Sequence, residues 1–189
     1  MQHTYLAIII IANSVFASSA FAVDYLSAEQ ARALLFPAAS QWQDKRFALS
    51  PEQLQTVAKL SGVPARSAAW ALSQALDDKG KYLGSMVVDQ VIGKYELITY
   101  AVGIDAKGAV TGIEILSYRE SHGGEIRLPA WRKQFAGKTL AQPIQVGDDI
   151  ALISGATLSC SHVTDGVRRI VGLLAVLREG GLLPAAGAT

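Results

Sequence analysis

The chain has 189 residues, with 17 Lys and Arg against 16 Asp and Glu, and a single cysteine. A formal charge of +1 gives no basic excess for nucleic-acid binding, and the length allows one domain or two. With 50% hydrophobic residues the chain is too apolar to be disordered, and one cysteine excludes an internal disulfide, a cysteine-rich zinc site and an iron–sulfur cluster.

Mean hydropathy is +0.27 and the charges are unevenly spread, for residues 1–22 carry none of them. An apolar core from Tyr5 to Phe16, including Ile8-Ile9-Ile10-Ile11, is followed by small residues ending in Ala20-Phe21-Ala22. This is the pattern of a secretory signal peptide cleaved before Val23. The core is shorter than the roughly 20 apolar residues of a membrane span. An uncleaved anchor is the alternative, because Gln2, His3 and Thr4 add no Lys or Arg to the α-amino group. Val23 stands where a diacyl anchor would need cysteine. The expectation is export, to the periplasm in a Gram-negative cell.

Residues 23–80 read as a helical N-terminal region. Ser27-Ala28-Glu29-Gln30 fits a capping box, and Ser50-Pro51-Glu52-Gln53 adds proline at the first helical position. Leu54, Val57, Ala58 and Leu60 then form an apolar face, and Gly62 suits a C-terminal cap. From Tyr82 the period changes. Leu83 to Ile92, Tyr95 to Ile104 and Val110 to Tyr118 read as strands, separated by Gly93-Lys94 and by Asp105-Ala106-Lys107-Gly108. A short helix is predicted over Ala130 to Phe135, stopped by Gly137. A short apolar run, Ile150 to Ile153, reads as a strand that becomes a helix. In that helix Val163, Val167, Ile170, Val171, Leu174 and Leu177 recur at helical spacing, with Arg168, Arg169 and Arg178 elsewhere. The expected fold class is α+β: an antiparallel β-sheet meander packed with helices, a helical N-terminal part and a long C-terminal helix. Residues 81–179 form the functional domain and 180–189 a flexible tail.

The stretch Ser154-Gly155-Ala156-Thr157-Leu158-Ser159 joins run and helix. Small residues let backbone approach a ligand, and the free N–H groups of a helix start favour a phosphate. Ser154, Thr157 and Ser159 are candidate hydroxyl donors. The same residues also read as a capping turn, with Thr157 or Ser159 as N-cap. The residues alone leave both readings open.

The stretch resembles the signature of the FMN-binding domain family. That family includes the G subunit of the Rnf complex, the C subunit of the sodium-pumping quinone reductase and stand-alone periplasmic flavoproteins. The resemblance extends from about Lys81 to Leu177. Tyr118-Arg119-Glu120-Ser121-His122-Gly123-Gly124-Glu125 is similar to the family's Glu-and-glycine loop. Trp131-Arg132-Lys133-Gln134-Phe135-Ala136-Gly137-Lys138 is similar to its helix ending in Gln-Phe-x-Gly-Lys, and Val163-Thr164-Asp165-Gly166-Val167 to the helix after the signature.

The resemblance implies FMN as cofactor, joined through its phosphate to Thr157 by a phosphoester that a separate flavin transferase makes. The amides of Leu158 and Ser159 would face the phosphate. Glu120, His122, Gly123 and Gly124 would lie near the isoalloxazine or its ribityl chain, or else form only a solvated hairpin exit. One departure concerns the transferase: its pattern has aspartate three positions before the signature serine, where this chain has Ala151, with Asp149 nearby. Either Asp149 stands in, or the enzyme is tolerant, or FMN is held without a covalent bond. Implied partners are redox proteins, a membrane quinol oxidoreductase or a cytochrome, which allows peripheral association with a membrane complex. Two rivals stand beside this electron carrier. One is a flavin-dependent reductase of a small substrate, with Glu120 or His122 as acid or base. The other is a flavin-free binding or assembly module.

No catalytic residue and no metal site follow from the pattern, since His122 lacks a partner at metal-ligand spacing. Cys160 reads as a packing residue, and Trp131 with Phe135 as a core pair one turn apart.

Overall fold

The computed structural model describes residues 23–184. The sequence features read in residues 1–22 and 185–189 lie outside them. One antiparallel sheet has the order β1-β6-β5-β4-β3-β2. Its strands are β1 (Val23–Asp24), β2 (Gln41–Ala48), β3 (Ala69–Leu76), β4 (Tyr82–Ile92), β5 (Leu97–Asp105) and β6 (Val110–Tyr118). The helices are α1 (Ala28–Leu35), α2 (Pro51–Ser61), α3 (Pro129–Arg132) and α4 (Thr157–Glu179). The fold is α+β, with a sequential meander over β2 to β6 and a long helix after it.

The expected helix starts form. Ser27 and Ser50 each accept the N–H of the residue three further on, while Gln30 and Gln53 reach back to the cap amides. Gly62 closes α2 in the left-handed region, at φ 67°. The region 23–80 is nevertheless not wholly helical, because β2 and β3 lie within it. β3 pairs with β4 through Ser73↔Met86, so the sheet runs across the boundary drawn at residue 80. β2 is an edge strand of polar composition, QWQDKRFA, and shows no apolar alternation. β3 is AWALSQAL, rich in helix formers, and its pairing on both sides overrides that preference.

The sheet is covered on both faces. On one, α4 and α2 pack with Val57, Leu72, Val87, Tyr100, Val102, Ile113, Val167, Ile170 and Leu174. On the other, α1 places Ala31, Leu35 and Phe36 against Ala75, Met86, Ala101 and Leu116. The apolar spacing of α4 is a buried stripe as predicted, with one exception to its polar face. Arg169 is only 1% exposed; it donates to the Pro64 carbonyl at 2.8 Å and meets Asp89 at 3.5 Å. Tyr100 donates to the same Asp89 at 2.8 Å. Gly166 lets α4 approach this cluster, for a Cβ there would come 1.8 Å from the Tyr100 hydroxyl oxygen.

Three smaller expectations change. The predicted helix over 130–135 is one α-turn, α3, continued by a 3₁₀ turn over Lys133–Phe135. Ile150 to Ile153 is not a strand and has a single parallel bridge, Val146↔Ile150. In the stretch expected to be a flexible tail, Leu183 is buried in the main core.

Candidate functional site

In a meander, alternate strand ends share one edge of the sheet. The register places Val91, Ile98 and Tyr118 in one row. The turn between β4 and β5 therefore lies beside the loop that leaves β6. The N-terminus of α4 comes to the same edge, held there by His162, whose Nδ1 meets the Ile92 carbonyl at 2.6 Å. A carbonyl only accepts, so Nδ1 carries the proton.

A cavity of about 580 Å³ opens at this edge. Lys94, Tyr95, Glu120, Ser121 and His122 line one side, and Gly155, Ala156, Thr157, Leu158 and Ser159 the other. Most of the residues singled out in the sequence thus meet in one place. Ser154 is exposed and outside the lining, and Gly123 and Gly124 face a neighbouring hollow with Tyr25 and Tyr118. The sequence reading missed Lys94, Tyr95 and Ser121. The signal for Lys94 and Tyr95 was topological: a meander brings the first turn next to the exit of its third strand.

The helix start lacks the capping turn that Thr157 or Ser159 would have supplied. The N-cap of α4 is Ala156, not Thr157 or Ser159, and no side chain caps it. Thr157 is the first helical residue, so the amides of Thr157, Leu158 and Ser159 find no partner among the described residues. Gly155 precedes them at φ 80°, where a side chain would be strained. A 23-residue helix thus directs free amides and its positive end toward the cavity.

The three candidate hydroxyls separate by their surroundings. Tyr118 donates its one proton to the His122 carbonyl. Its oxygen also lies 3.2 Å from Ser159 Oγ, so Ser159 must be the donor of that second bond. Burial raises the pKa of Tyr118 above its ordinary value, only partly offset by the Ser159 contact, which keeps the phenol protonated. Ser159 is buried with its proton engaged, and Ser154 is outside the cavity. Thr157 is exposed, lines the cavity, and makes no side-chain hydrogen bond among the described residues.

The loop after β6 is built by close packing. Gly123 has φ 83°, and a Cβ there would lie 2.5 Å from Ala156 Cβ and 2.7 Å from the Tyr118 hydroxyl oxygen. Its smallness seats the loop on the start of α4, rather than clearing space for a ligand ring. Glu120 is equally committed. Its Oε1 accepts from Tyr95 N at 2.6 Å and Glu96 N at 3.0 Å, which ties the loop to the β4–β5 turn. Desolvation pushes the Glu120 pKa up, but these amides and the Lys94 charge outweigh it, and the net shift is downward. His122 is exposed, with Nδ1 2.9 Å from Ser121 Oγ.

Asp149 is engaged elsewhere: Oδ2 pairs with Lys138 at 2.7 Å, and Oδ1 accepts from Gln145 N at 2.7 Å. Ala151 is fixed through its backbone, receiving the Trp131 indole N–H and donating to Gln134, each at 2.8 Å. Trp131 and Phe135 stack edge to face in the core, with ring centroids 5.0 Å apart. Cys160 is buried, and that burial raises its thiol pKa, which keeps it unreactive.

Comparison with known proteins agrees with this geometry. No curated protein sequence matches the chain. The structure of NqrC from Shewanella oneidensis has the same fold at 15% identity, with a TM-score of 0.50 over 82% of this chain and 92% of that one. The family model described as FMN-binding domain matches residues 93–172, a span that begins at the β4–β5 turn and includes the whole cavity lining. The chain therefore carries, over residues 93–172, a domain of the FMN-binding domain family.

Proposed function

We propose that this protein is an exported electron carrier whose FMN is joined by a phosphoester to Thr157. The observation that carries the reading is the state of the signature hydroxyls. Of Ser154, Thr157 and Ser159, Thr157 alone is exposed in the cavity with its proton uncommitted. The residues present fit the group. About 580 Å³ is within the roughly 300–1,000 Å³ of small-molecule sites, and the uncapped amides suit a phosphate. Tyr95 and Leu158 offer apolar surface beside them.

FMN, when bound, supplies an isoalloxazine ring that accepts one or two electrons. The protein's residues do the rest. Thr157 Oγ1 loses its proton and forms the bond to phosphorus, and the phosphate's former substituent leaves with the electron pair of its own bond. A flavin transferase provides the activated donor. The amides of Leu158 and Ser159 hold the phosphate charge, and the Tyr118–Ser159 pair keeps the second hydroxyl from competing. Asp149 is tied to Lys138 and the 144–149 loop, so recognition by the transferase rests on residues other than a free aspartate at that place.

Electron carriage is favoured over reduction of a small substrate by the state of Glu120. Its carboxylate is held by two amides at a depressed pKa, so it is a structural anchor and a poor proton donor. Residues 1–22 direct the chain to the periplasm, where its partners are redox proteins such as a membrane quinol oxidoreductase or a cytochrome.

The test is co-expression with a flavin transferase, followed by denaturing gel electrophoresis and in-gel fluorescence. Wild type and Ser159→Ala should carry a fluorescent band, and Thr157→Ala none. A fluorescent Thr157→Ala band would overturn the assignment.

A further inference from the structure

The turn at the mouth of the cavity contains a residue with no structural explanation of its own. Tyr95 is 71% exposed, yet it lines the cavity opposite the start of α4. An aromatic residue on a turn is usually mobile and costs little to replace. Here the backbone beneath it is fixed at several points. Its N–H donates to Glu120 at 2.6 Å, the next amide donates to the same oxygen at 3.0 Å, and Gly93 N–H donates to the Glu96 carbonyl at 2.7 Å. Glu120 reaches these amides because Gly93 has no side chain; a Cβ there would come 2.5 Å from Oε1. Three residues from two loops thus fix the backbone that carries an exposed ring.

The surroundings indicate what the ring is held for. The Lys94 ammonium lies over it, 4.9 Å from the centroid, which covers at most one face. Across the cavity, in the first turn of α4, Leu158 is 44% exposed beside the Thr157 hydroxyl. A phosphate held at Thr157 leaves the rest of its ligand in a cavity lined by an aromatic ring and a leucine. Those are the surfaces that sandwich a planar, weakly polar ring system, and a ring carried on a fixed backbone has less freedom to lose on contact.

We propose that Tyr95 is the stacking residue of this site, its ring lying against the isoalloxazine of a flavin held at Thr157. The inference rests on the FMN reading above and adds a residue to it. Glu120 is then a positioning residue, acting through the turn that carries Tyr95.

A stacked phenol quenches flavin emission, so fluorescence of the loaded, folded protein reads the contact directly. Wild type, Tyr95→Leu and Tyr95→Trp are each co-expressed with the transferase, and intact mass gives the flavin content of every sample. The expected result is a severalfold higher emission per bound flavin in Tyr95→Leu. Tyr95→Trp, which restores a stacking electron donor, should stay as dim as wild type. Tyr82→Phe, at a buried ring outside the cavity lining, should leave emission unchanged. Full flavin content with equal emission in wild type and Tyr95→Leu overturns the stacking role and leaves the Thr157 reading intact. Absence of covalent flavin from all samples overturns both.

Discussion

Gly123→Ala probes the seam between the β6 exit loop and α4, on which the cavity depends. Two costs add. The backbone stands at φ 83°, where an L side chain costs about 1–2 kcal/mol. The new methyl would lie 2.5 Å from Ala156 Cβ and 3.1 Å from Ala156 Cα, against a helix start that cannot give way locally. Overpacking of this kind costs about 1–3 kcal/mol more, so the sum is about 2–5 kcal/mol. Gly155→Ala is the control, since it has φ 80° but nothing within 4 Å of the added atom. It should lose only the conformational part, about 1–2 kcal/mol. Urea unfolding of the flavin-free chains measures both, provided the slopes agree. If the loop instead lifts away from α4, the Tyr118–His122 bond breaks and flavin loading falls. Equal destabilisation of the two variants, with loading of Gly123→Ala intact, would refute the packing argument.

Two further predictions concern charge. Arg169→Met removes a buried guanidinium, leaving the Pro64 carbonyl without that donor and Asp89 with Tyr100 alone. Because Tyr100 still serves Asp89, the loss should be about 2–4 kcal/mol in the same unfolding assay, toward the low side of the range for a fully buried pair. The second is acid sensitivity. Asp149 is desolvated, which raises its pKa, but Lys138 and the amides of Gln145 and Ile144 prevail and lower it; Glu120 is lowered likewise. A carboxylate with a depressed folded pKa contributes stability above its unfolded pKa and loses it as pH falls through the folded one. Unfolded values are about 3.9 for Asp and about 4.3 for Glu. Stability should therefore be level above about pH 5 and decline below about pH 4. Asp149→Asn should flatten part of that decline in pH-dependent urea titrations, and an unchanged profile would remove Asp149 from the account.

The parts of the fold legible in the sequence were those where local chemistry and tertiary structure agree. Ser27 and Ser50 capped their helices, Asp105 to Gly108 turned the chain between β5 and β6, and the apolar spacing of α4 marked its buried stripe. What escaped was set by partners distant in sequence. β2 has the composition of a solvated segment because it is an edge strand, and β3 has helix formers because its neighbours impose the extended form. Arg169 could not be told from Arg168 by spacing, since only the folded chain supplies Asp89 and Pro64 as its partners.

The site divides in the same way. Ser154 to Ser159 and Glu120 to Gly124 were visible as motifs, but their roles were not. The residues alone offered three candidate hydroxyls, of which the resemblance named Thr157, and burial together with the direction of the Tyr118 hydrogen bonds distinguishes Ser159 from it. The resemblance put Gly123 near a ligand ring, whereas its close neighbour is Ala156. Glu120 suggested an acid or base, whereas it fastens two loops together.

If Thr157 alone carries a flavin phosphate, peptide mapping will locate it there. The wild-type chain is co-expressed with a flavin transferase, digested, and fragmented in the mass spectrometer. One peptide should be heavier by one FMN less one water, with fragment ions that place the added mass on Thr157. An unmodified peptide, or added mass on Ser154 or Ser159, would contradict it.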